Sequence, residues 1–270
     1  MSTAKEARRA LVTGASSGIG TAFAKRLARD GYDLVLVARR KERLDELAKQ
    51  LGAQHHVGVE VHAADLTDSA DLHAVEKRTT DWQPDMLVNN AGFGGYMPFI
   101  NLPPERAEEL IRLQVLAVTR LTRAALPAML ARRKGDIINV SSRLAFSGPV
   151  AFERLPKRAV YAGTKAFINT ITQILAEELK DTGVRVQALC PGVVRTEFHQ
   201  NVGVDTSRLP PEIIMEADDV VQASLMGLEL GEVICLPSLE DKSVLEQSNE
   251  AQRQVFESGN AGKLASRYRG

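Results

Sequence analysis

Short apolar runs alternate with longer helical patterns along almost the whole chain, and this alternation constrains the fold more than any other feature. Helical patterns at about 18–30, 43–51, 105–133, 160–180 and 218–230 are interleaved with apolar runs at 10–13, 33–38, 57–61, 86–88, 137–140, 184–189 and 233–236. Strands that alternate with helices build βαβ units, in which successive strands run parallel. The pattern therefore predicts one α/β domain over residues 1–270, doubly wound, with about seven parallel strands and helices on both faces.

Four features set the expected ends of these elements. Asp68 is expected to cap the helix that follows it, and Gly52 to close the helix at 43–51. Pro127 should kink or divide the long helical pattern, because proline lacks a backbone N–H and clashes with the preceding turn. Residues 240–270 are expected to form a charged, amphipathic helical tail, which packs either on the domain or on a partner subunit.

Charge and composition exclude several classes of partner. Lys+Arg and Asp+Glu both number 34, which gives no electrostatic hold on nucleic acid or an anionic membrane. The apolar stretch 10–12 is too short for a signal-peptide core, and no window reaches the ~18 apolar residues of a membrane span. Cys190 and Cys235 lie far apart, and neither they nor the histidines show a metal-ligand spacing. We therefore expect a cytoplasmic protein without a metal, nucleic acid or membrane partner.

A glycine-rich turn follows the first apolar run and opens the first helical pattern, which is the setting that a dinucleotide loop requires. In the segment TGASSGIG (13–20), Gly14 allows a tight turn, while Gly18 and Gly20 let the backbone approach a pyrophosphate. The N-terminus of the helix adds unpaired N–H groups and the positive end of a dipole. The spacing differs from Gly-x-Gly-x-x-Gly, so an ordinary βα turn is the alternative. The candidate residues of this turn are Gly14, Ser16, Ser17, Gly18, Ile19 and Gly20.

Four further motifs follow this turn in a fixed order: NNAG at 89–92, INVSS at 138–142, YAGTK at 161–165 and PGVVRT at 191–196. Together the five motifs resemble the classical short-chain dehydrogenase/reductase family, over about residues 8–200. The resemblance implies a single Rossmann-type domain and a nicotinamide cofactor. It also implies hydride transfer between the nicotinamide and a substrate carbonyl carbon, in a homodimer or homotetramer.

The chemical centre is expected at Tyr161 and Lys165, which lie one turn apart on a predicted helix and so share a face. A neighbouring ammonium lowers the pKa of a phenol, which would let Tyr161 exchange a proton with a substrate oxygen. In the family the matching Lys also hydrogen-bonds the nicotinamide ribose. Ser142 matches the family serine that stabilises the substrate oxygen, and Ser141 is expected to bond the backbone. The alternative is an ordinary amphipathic helix with a surface Tyr and Lys.

Two departures from the family pattern stand near this centre. The stretch between Ser142 and Tyr161 is longer than is usual, by about residues 152–158. We expect this insertion to lie at the mouth of the site, and a surface loop without a role is the alternative. Gln114 occupies the place where the family commonly has an Asn that holds a proton-relaying water. Gln offers the same amide but is one methylene longer, which puts the relay in doubt.

Arginine at the end of the second apolar run favours NADP(H). The run ends Ala38-Arg39-Arg40, whereas an acidic residue there would bond the ribose hydroxyls of NAD. Arg39, together with Arg40, suits a 2′-phosphate, and a solvated start to the next helix is the alternative. The resemblance implies further cofactor contacts: Asp65 with the adenine, Asn90 along the cleft, and Val194 and Thr196 with the nicotinamide carboxamide. The further candidate cofactor-binding residues are therefore Asp65, Asn90, Ala91, Gly92, Pro191, Gly192, Val194 and Thr196. Asn89 is expected to tie strands together.

These features predict an oxidoreductase that transfers a hydride between NADP(H) and a small-molecule carbonyl or secondary alcohol, with Tyr161 as general acid/base. An NAD-linked dehydrogenase of the same fold and a non-catalytic cofactor-binding regulator are the alternatives. The substrate cannot be read from the sequence. The candidate pocket residues are Phe93, Met97, Phe99, Phe198 and His199.

Overall fold

The computed structural model describes residues 8–150, 155–200, 209–259 and 261–269. The chain divides into two compact units, Met1–Pro237 and Ser238–Gly270. The predicted cofactor and substrate residues all belong to the first unit.

Nine strands and eight helices form the described part of the first unit. The strands are β1 (Arg8–Thr13), β2 (Tyr32–Ala38), β3 (Val59–Ala63), β4 (Met86–Asn89), β5 (Gly135–Val140), β6 (Val184–Leu189), β7 (Val193–Val194), β8 (Ile214–Met215) and β9 (Ile234–Cys235). The helices are α1 (Gly18–Arg29), α2 (Lys41–His55), α3 (Ser69–Trp82), α4 (Pro104–Ile111), α5 (Val118–Arg132), α6 (Ala159–Glu178), α7 (Glu197–Gln200) and α8 (Ala217–Glu229).

Seven of the strands build one parallel sheet in the order β3-β2-β1-β4-β5-β6-β9. Residues of one strand alternate between two hydrophobic cores: Ala10 and Val12 of β1 face a core with α1, α2 and α8, while Leu11 faces another with α3 and α5. Helices therefore cover both faces of the sheet, and the predicted doubly wound Rossmann-type fold is confirmed. The strand order reverses between β1 and β4, which opens a crevice at the carboxyl ends of these strands.

Helix ends follow local chemistry in some places and differ from the predictions in others. The side chain of Asp68 accepts hydrogen bonds from the backbone N–H groups of residues 70 and 71, so the predicted cap forms. Gly52 does not close α2, which continues to His55 and ends at His56 in the left-handed region (φ +56°). Pro127 lies inside α5, and the long helical pattern is divided instead by a π-helix at Arg112–Ala117.

A small parallel sheet of β7 and β8 was not predicted. Val193 pairs with Ile214 and Val194 with Met215. Strands of two residues are too short to show a periodicity, so the sequence carries no signal for them. This pairing holds the segment that leaves β6, which carries the PGVVRT motif.

The second unit contains α9 (Ser243–Ser258) and a 3₁₀ turn at Ser266–Tyr268. The helix falls within the tail that was expected to be helical from residue 240.

Candidate active site

A cleft of about 840 Å³ opens where the sheet reverses its strand order. Its walls include the loops that follow each of the strands β1 to β6, because the carboxyl ends of parallel strands meet at one edge of a sheet. Of the predicted site residues, the following line the cleft: Gly14, Ser16, Ser17, Gly18, Ile19, Arg39, Arg40, Asp65, Asn90, Ala91, Gly92, Ser142, Tyr161, Lys165, Pro191, Gly192, Val194 and Thr196. Gly20 and Gln114 are not among the lining residues.

The glycine-rich turn is fixed by close backbone contacts. Gly14 and Gly18 have φ of +67° and +55°, a region that strongly favours glycine. A Cβ on Gly20 would lie 2.3 Å from the carbonyl oxygen of Gly14 and 2.6 Å from Nδ2 of Asn90. Nδ2 of Asn90 in turn donates to the carbonyl oxygen of Thr13 at 2.9 Å. Gly20 therefore shapes the turn from behind, without facing the cleft.

Arg39 and Asp65 meet at one end of the cleft. Their nearest charged atoms are 3.6 Å apart, and the Arg39 side chain is 69% exposed. Oδ1 of Asp65 accepts hydrogen bonds from the backbone and hydroxyl of Thr67, at 2.9 and 2.8 Å. Burial raises the pKa of the Asp65 carboxyl, but these two hydrogen bonds and Arg39 together bring it below its ordinary value. The exposed guanidinium of Arg39 thus lies beside the carboxylate of Asp65, which Thr67 holds in place.

Arg40 has a different environment from Arg39. Its guanidinium donates to the hydroxyl groups of Ser16, at 3.0 Å, and Ser17, at 2.7 Å. It also pairs with Glu197 at 2.8 Å, and Arg43 pairs with the same carboxylate at 2.7 Å. Hydrogen bonds from Arg40 and then Arg43 hold the pKa of the Glu197 carboxyl below its usual range. Arg40 therefore links the glycine-rich turn to α7, a pairing that no motif in the sequence indicated.

Tyr161, Ser142 and Lys165 come together at the floor of the cleft, and all three side chains are buried. Tyr161 and Ser142 both line the cleft, and Ser142 acts to lower the pKa of the Tyr161 phenol. Oγ of Ser142 accepts from the backbone N–H of Leu144 at 3.1 Å. Nζ of Lys165 donates to the carbonyl oxygen of Val140 at 2.8 Å and stands 5.7 Å from the centre of the Tyr161 ring. The backbone of β5 therefore orients the lysine, and the backbone of the turn that follows β5 orients the serine.

The pKa of Tyr161 shifts in the direction opposite to the sequence expectation. Burial raises it well above its ordinary value, since the phenolate would lose its hydration. Burial also lowers the pKa of Lys165 to about 8. The ammonium is held by the carbonyl of Val140 and lies over the ring, so it is not hydrogen-bonded to the phenol oxygen. The Tyr161 phenol therefore keeps its proton at neutral pH.

Tyr96 is a site residue that the sequence analysis missed. Its ring meets that of Tyr161 edge to face, with the ring centres 5.2 Å apart. The ring of Phe198 lies 6.1 Å from that of Tyr161 on another side. Burial raises the pKa of Tyr96 to about 12. Its position close behind the NNAG motif was the only signal available, and neighbouring aromatic residues carried the same signal.

Gln114 lies on the π-helix and braces the site from outside the cleft. Its Nε2 donates to the carbonyl oxygen of Phe93 at 2.7 Å, and its Oε1 accepts from the hydroxyl of Thr164 at 2.9 Å. The side chain is fully buried. One amide thus connects the loop after β4 with α6, and both of its ends are engaged away from Lys165. A π-helical turn at such a position is a common feature of functional sites.

Two more expectations concern side chains that bond protein groups behind the cleft. Nδ2 of Asn89 donates to Oδ1 of Asn139 at 2.9 Å and to the hydroxyl of Thr122 at 3.1 Å, which ties β4 to β5 and α5. Oγ of Ser141 donates to the carbonyl oxygen of Lys165 at 3.0 Å.

The substrate side of the cleft has apolar walls. They are formed by Leu144, Leu155, Pro156, Phe198, Leu209, Pro210 and Ile213. Residues 152–154 of the insertion lie outside the described part of the chain, but Leu155 and Pro156 face the cleft. Arg158 anchors this end of the insertion, since its guanidinium donates to the hydroxyl of Ser147 at 2.7 Å and to its carbonyl at 3.0 Å.

The candidate pocket residues after the NNAG and PGVVRT motifs differ in whether they line the cleft. Phe93 and Phe198 line the cleft. Met97 and Phe99 are not among the lining residues, and the side chain of Phe99 is 72% exposed. The side chain of His199 lies outside the described part of the structure.

Within the described ranges, no group of three or more His, Cys, Asp or Glu side chains could hold a metal ion. Among the same residues, no helix combines the length and the apolar character needed to cross a membrane.

A reversed-order parallel sheet, a glycine-rich turn before α1 and a buried Ser–Tyr–Lys group at the same crevice define an oxidoreductase of the Rossmann class. Residues 8–206 match the short chain dehydrogenase family. The chain therefore belongs to the short-chain dehydrogenase family, whose members bind a nicotinamide cofactor.

Relatives with similar sequences and structures are oxidoreductases. The oxidoreductase UcpA of Salmonella typhimurium is 33% identical over 241 residues, which cover 87% of this chain and 89% of that protein. A short-chain dehydrogenase from Sphingobium yanoikuyae, solved in complex with NADPH, is 38% identical with a TM-score of 0.90, over 97% of this chain and 100% of the other. The bulky-bulky ketone specific alcohol dehydrogenase from Comamonas testosteroni is 33% identical with a TM-score of 0.88, over 98% of this chain and 100% of that one.

Proposed function

We propose that this protein interconverts a ketone and a secondary alcohol with NADP(H), and that Tyr161 is its general acid/base. The observation that carries the proposal is the buried group of Ser142, Tyr161 and Lys165, which lines a cleft with apolar walls. Two hydroxyl groups that line one cleft can bind a carbonyl oxygen, and a phenol there can supply the proton that an alcohol requires.

The residues present fit a dinucleotide. Gly14, Gly18 and Gly20 keep side-chain atoms out of the turn, because a Cβ at each would lie within 3.0 Å of neighbouring atoms. The N-terminus of α1 points its N–H groups toward the place of the phosphates. Bound there, the nicotinamide would supply or accept a hydride at its C4 atom.

Tyr161 and Ser142 would hold the substrate oxygen by hydrogen bonds, and Tyr161 would give it a proton during ketone reduction. Because burial raises the pKa of Tyr161, the phenol is protonated at neutral pH, which favours reduction. Alcohol oxidation needs the deprotonated phenol, so its rate should rise with pH. Lys165, whose pKa is lowered to about 8, retains much of its charge at neutral pH and would orient the cofactor ribose.

Arg39 supports a preference for NADP(H) over NAD(H). It follows β2, where Ala38 stands in place of an acid, and its exposed guanidinium pairs with Asp65 at a long 3.6 Å. A phosphate would accept stronger, bidentate hydrogen bonds from it. Arg40 is engaged by the turn and Glu197, so its role is to shape the turn. The NADPH complex of the Sphingobium yanoikuyae relative supports the same preference.

Ketones with large groups on both sides are the substrates we propose to test first. The apolar walls on the substrate side of the cleft, formed by side chains such as Leu144, Leu155 and Phe198, offer few hydrogen-bonding groups to a polar substrate. The named specificity of the Comamonas testosteroni relative supports this choice.

The test is oxidation of NADPH and of NADH, followed by absorbance, against a panel of small and bulky ketones. Tyr161→Phe should abolish turnover while NADPH binding, measured by fluorescence titration, stays intact. Retained turnover in that variant would refute the acid/base role. Tight NADPH binding without turnover of any ketone by the native protein would favour the alternative of a cofactor-binding regulator.

The cofactor preference has its own variant. Arg39→Asp should weaken NADPH binding by about 10- to 100-fold, since hydrogen bonds to charged groups contribute about 1.5–3 kcal/mol. Arg29→Asp makes the same change of charge at the C-terminal end of α1, away from the glycine-rich turn, and should leave the affinity for NADPH unchanged. An unaltered preference for NADPH in Arg39→Asp would favour the alternative of an NAD-linked or undiscriminating enzyme. Assembly into a homodimer or homotetramer stays a prediction, which light scattering can check.

A further inference from the structure

We propose that Arg143 is a specificity-determining residue: its guanidinium binds a carboxylate of the substrate, so that the preferred ketones are bulky keto acids. The proposal rests on the proposed function, because it takes the ketone carbonyl to be held at Ser142 and Tyr161. It adds the charge of the substrate, on which the apolar walls of the cleft give no information.

The backbone of Arg143 is fixed next to the serine. Arg143 follows Ser142 directly and opens a 3₁₀ helix, Arg143–Phe146. Its N–H donates to the carbonyl oxygen of Pro191 at 3.0 Å, and the N–H of Leu144 donates to Oγ of Ser142 at 3.1 Å. Because consecutive Cα atoms are only about 3.8 Å apart, the arginine side chain starts beside the group that would hold the substrate oxygen.

The side chain of Arg143 is presented to the cleft. Arg143 is exposed and is one of the residues that line the cleft. Its Cδ and Nε atoms lie 3.6 and 3.7 Å from the position that a Cβ on Gly192 would take. These are ordinary contact distances, so the stem of the arginine rests on the backbone of Gly192, which is itself a lining residue. The guanidinium is therefore accessible to a molecule bound in the cleft.

The charge of Arg143 has no partner among the residues that the structure describes. Its guanidinium makes no hydrogen bond or ion pair with any of them. Other arginines at the cleft are engaged: Arg40 and Arg43 share the carboxylate of Glu197, at 2.8 and 2.7 Å. The N–H donors of Arg143 are therefore available to a ligand.

The substrate end of the cleft offers a cation without an opposing acid. Asp65 is the only carboxylate among the described lining residues, and it already lies near Arg39. It follows β3, which is four strand spacings from β5 in the sheet, or roughly 19 Å at about 4.8 Å each. Lys165 adds a second basic group at the floor of the cleft. An anionic group on the substrate would thus be attracted there and not repelled.

These features together define a class of substrate. A guanidinium matches a carboxylate with two parallel N–H···O bonds. Leu144 and Leu155 provide apolar walls for the body of the molecule. Because Arg143 adjoins Ser142, the carboxylate must lie only a few bonds from the carbonyl carbon. The class is therefore a ketone with a large apolar group on one side and a short chain that ends in a carboxylate on the other.

The experiment compares benzoylpropionate, a phenyl ketone of this class, with its uncharged methyl ester. The native protein with NADPH should reduce the acid with the higher kcat/KM. In Arg143→Leu, kcat/KM for the acid should fall about tenfold or more, and the ester should change by no more than about twofold. The loss should be in KM, because the carboxylate keeps the same contacts in the ground state and the transition state. Arg143→Lys, which keeps the charge, should recover part of the loss.

Arg29→Leu is the matched control. It removes an exposed arginine at the C-terminal end of α1 and should leave both substrates unaffected. Calorimetric titration of benzoylpropionate into the protein saturated with NADP⁺ gives a readout that needs no turnover. Binding should be weaker in Arg143→Leu than in the native protein, and in the native protein it should weaken as salt is added. Thermal unfolding and NADPH titration establish that each variant is folded and binds cofactor.

An equal effect of Arg143→Leu on acid and ester, or no effect on either, would overturn the proposal. Weaker NADPH binding in Arg143→Leu would also overturn it, since the guanidinium would then hold the cofactor. Failure of the proposed function has a different signature, namely turnover that survives in Tyr161→Phe. If Tyr161→Phe is inactive and the native protein reduces acid and ester equally well, the function stands and the role of Arg143 falls.

Discussion

Replacing Gly20 by alanine should damage the cofactor turn while leaving the rest of the domain folded. The new Cβ would lie 2.3 Å from the carbonyl oxygen of Gly14, 2.8 Å from its carbonyl carbon and 2.6 Å from Nδ2 of Asn90. Ordinary contacts of this kind begin near 3.4 Å. Since two of the three nearest atoms are backbone, no side-chain rotation can relieve the overlap, and the turn must open by roughly an ångström.

The expected magnitude combines three terms. Alanine in a helix is favoured over glycine by about 1 kcal/mol. Overpacking of this kind costs about 1–3 kcal/mol, and weakening the hydrogen bonds that Asn90 donates to Thr13 and Gly14 costs about 1 kcal/mol more. The net loss is about 1–3 kcal/mol in the free energy of unfolding. NADPH affinity should fall about tenfold or more, since the displaced N–H groups are those that face the phosphates.

Gly52→Ala is the control, because a Cβ there would meet only the carbonyl oxygen of Val57 at an ordinary 3.5 Å. It lies in α2 and should raise stability by up to about 1 kcal/mol without affecting the cofactor. Denaturant unfolding and fluorescence titration with NADPH measure both effects. If Gly20→Ala unfolded and bound NADPH as the native protein does, the reasoning from these close contacts would be refuted.

Three further predictions concern charge and bracing around the cleft. Glu197→Gln removes the negative charge that Arg40 and Arg43 share, so NADPH should bind a few-fold more tightly at low salt, by up to about 1 kcal/mol. Weaker binding in titrations at two salt concentrations would count against this. Lys165 has its pKa lowered from 10.5 to about 8, so between these values the unfolded chain binds more protons than the folded one, and the native protein should gain stability with rising pH relative to Lys165→Met. Equal pH dependence of unfolding in both proteins would contradict that cause. In Gln114→Asn the side chain is too short to bond both the Phe93 carbonyl and the Thr164 hydroxyl, so the free energy of unfolding should fall by about 1–2 kcal/mol. An unchanged midpoint of thermal unfolding would show that these two hydrogen bonds do not stabilise the site.

The parts of the site that the sequence predicted are those held by short spacings along the chain. Tyr161 and Lys165 are one helical turn apart, so any helix brings them to the same face. The glycine-rich turn has its strand and helix on either side, and its conformation is encoded by the residues themselves. The sheet was predictable for the same reason, since each βαβ unit is local and the handedness of its crossover is fixed.

The parts that the sequence did not predict depend on contacts between distant segments. Glu197 pairs with Arg40, which lies 157 positions away along the chain, and the residues around either position do not indicate this pairing. The direction of the Tyr161 pKa was wrong in the sequence reasoning because spacing gives proximity to Lys165 but not the depth of burial. The division of the long helix at 112–117 was assigned to Pro127, since a π-helix has no comparable residue signature.

The two ends of the cleft share one segment, and this has consequences for how the site works. Glu197 reaches back to Arg40 at the glycine-rich turn, while its neighbour Phe198 packs 6.1 Å from the ring of Tyr161. Val194, just before them, is held in the small sheet by Met215. A shift of this segment therefore changes the cofactor end and the acid/base end together. Variants at Glu197 should accordingly be judged by ketone kinetics as well as by NADPH affinity, because a pure charge effect would alter only the second.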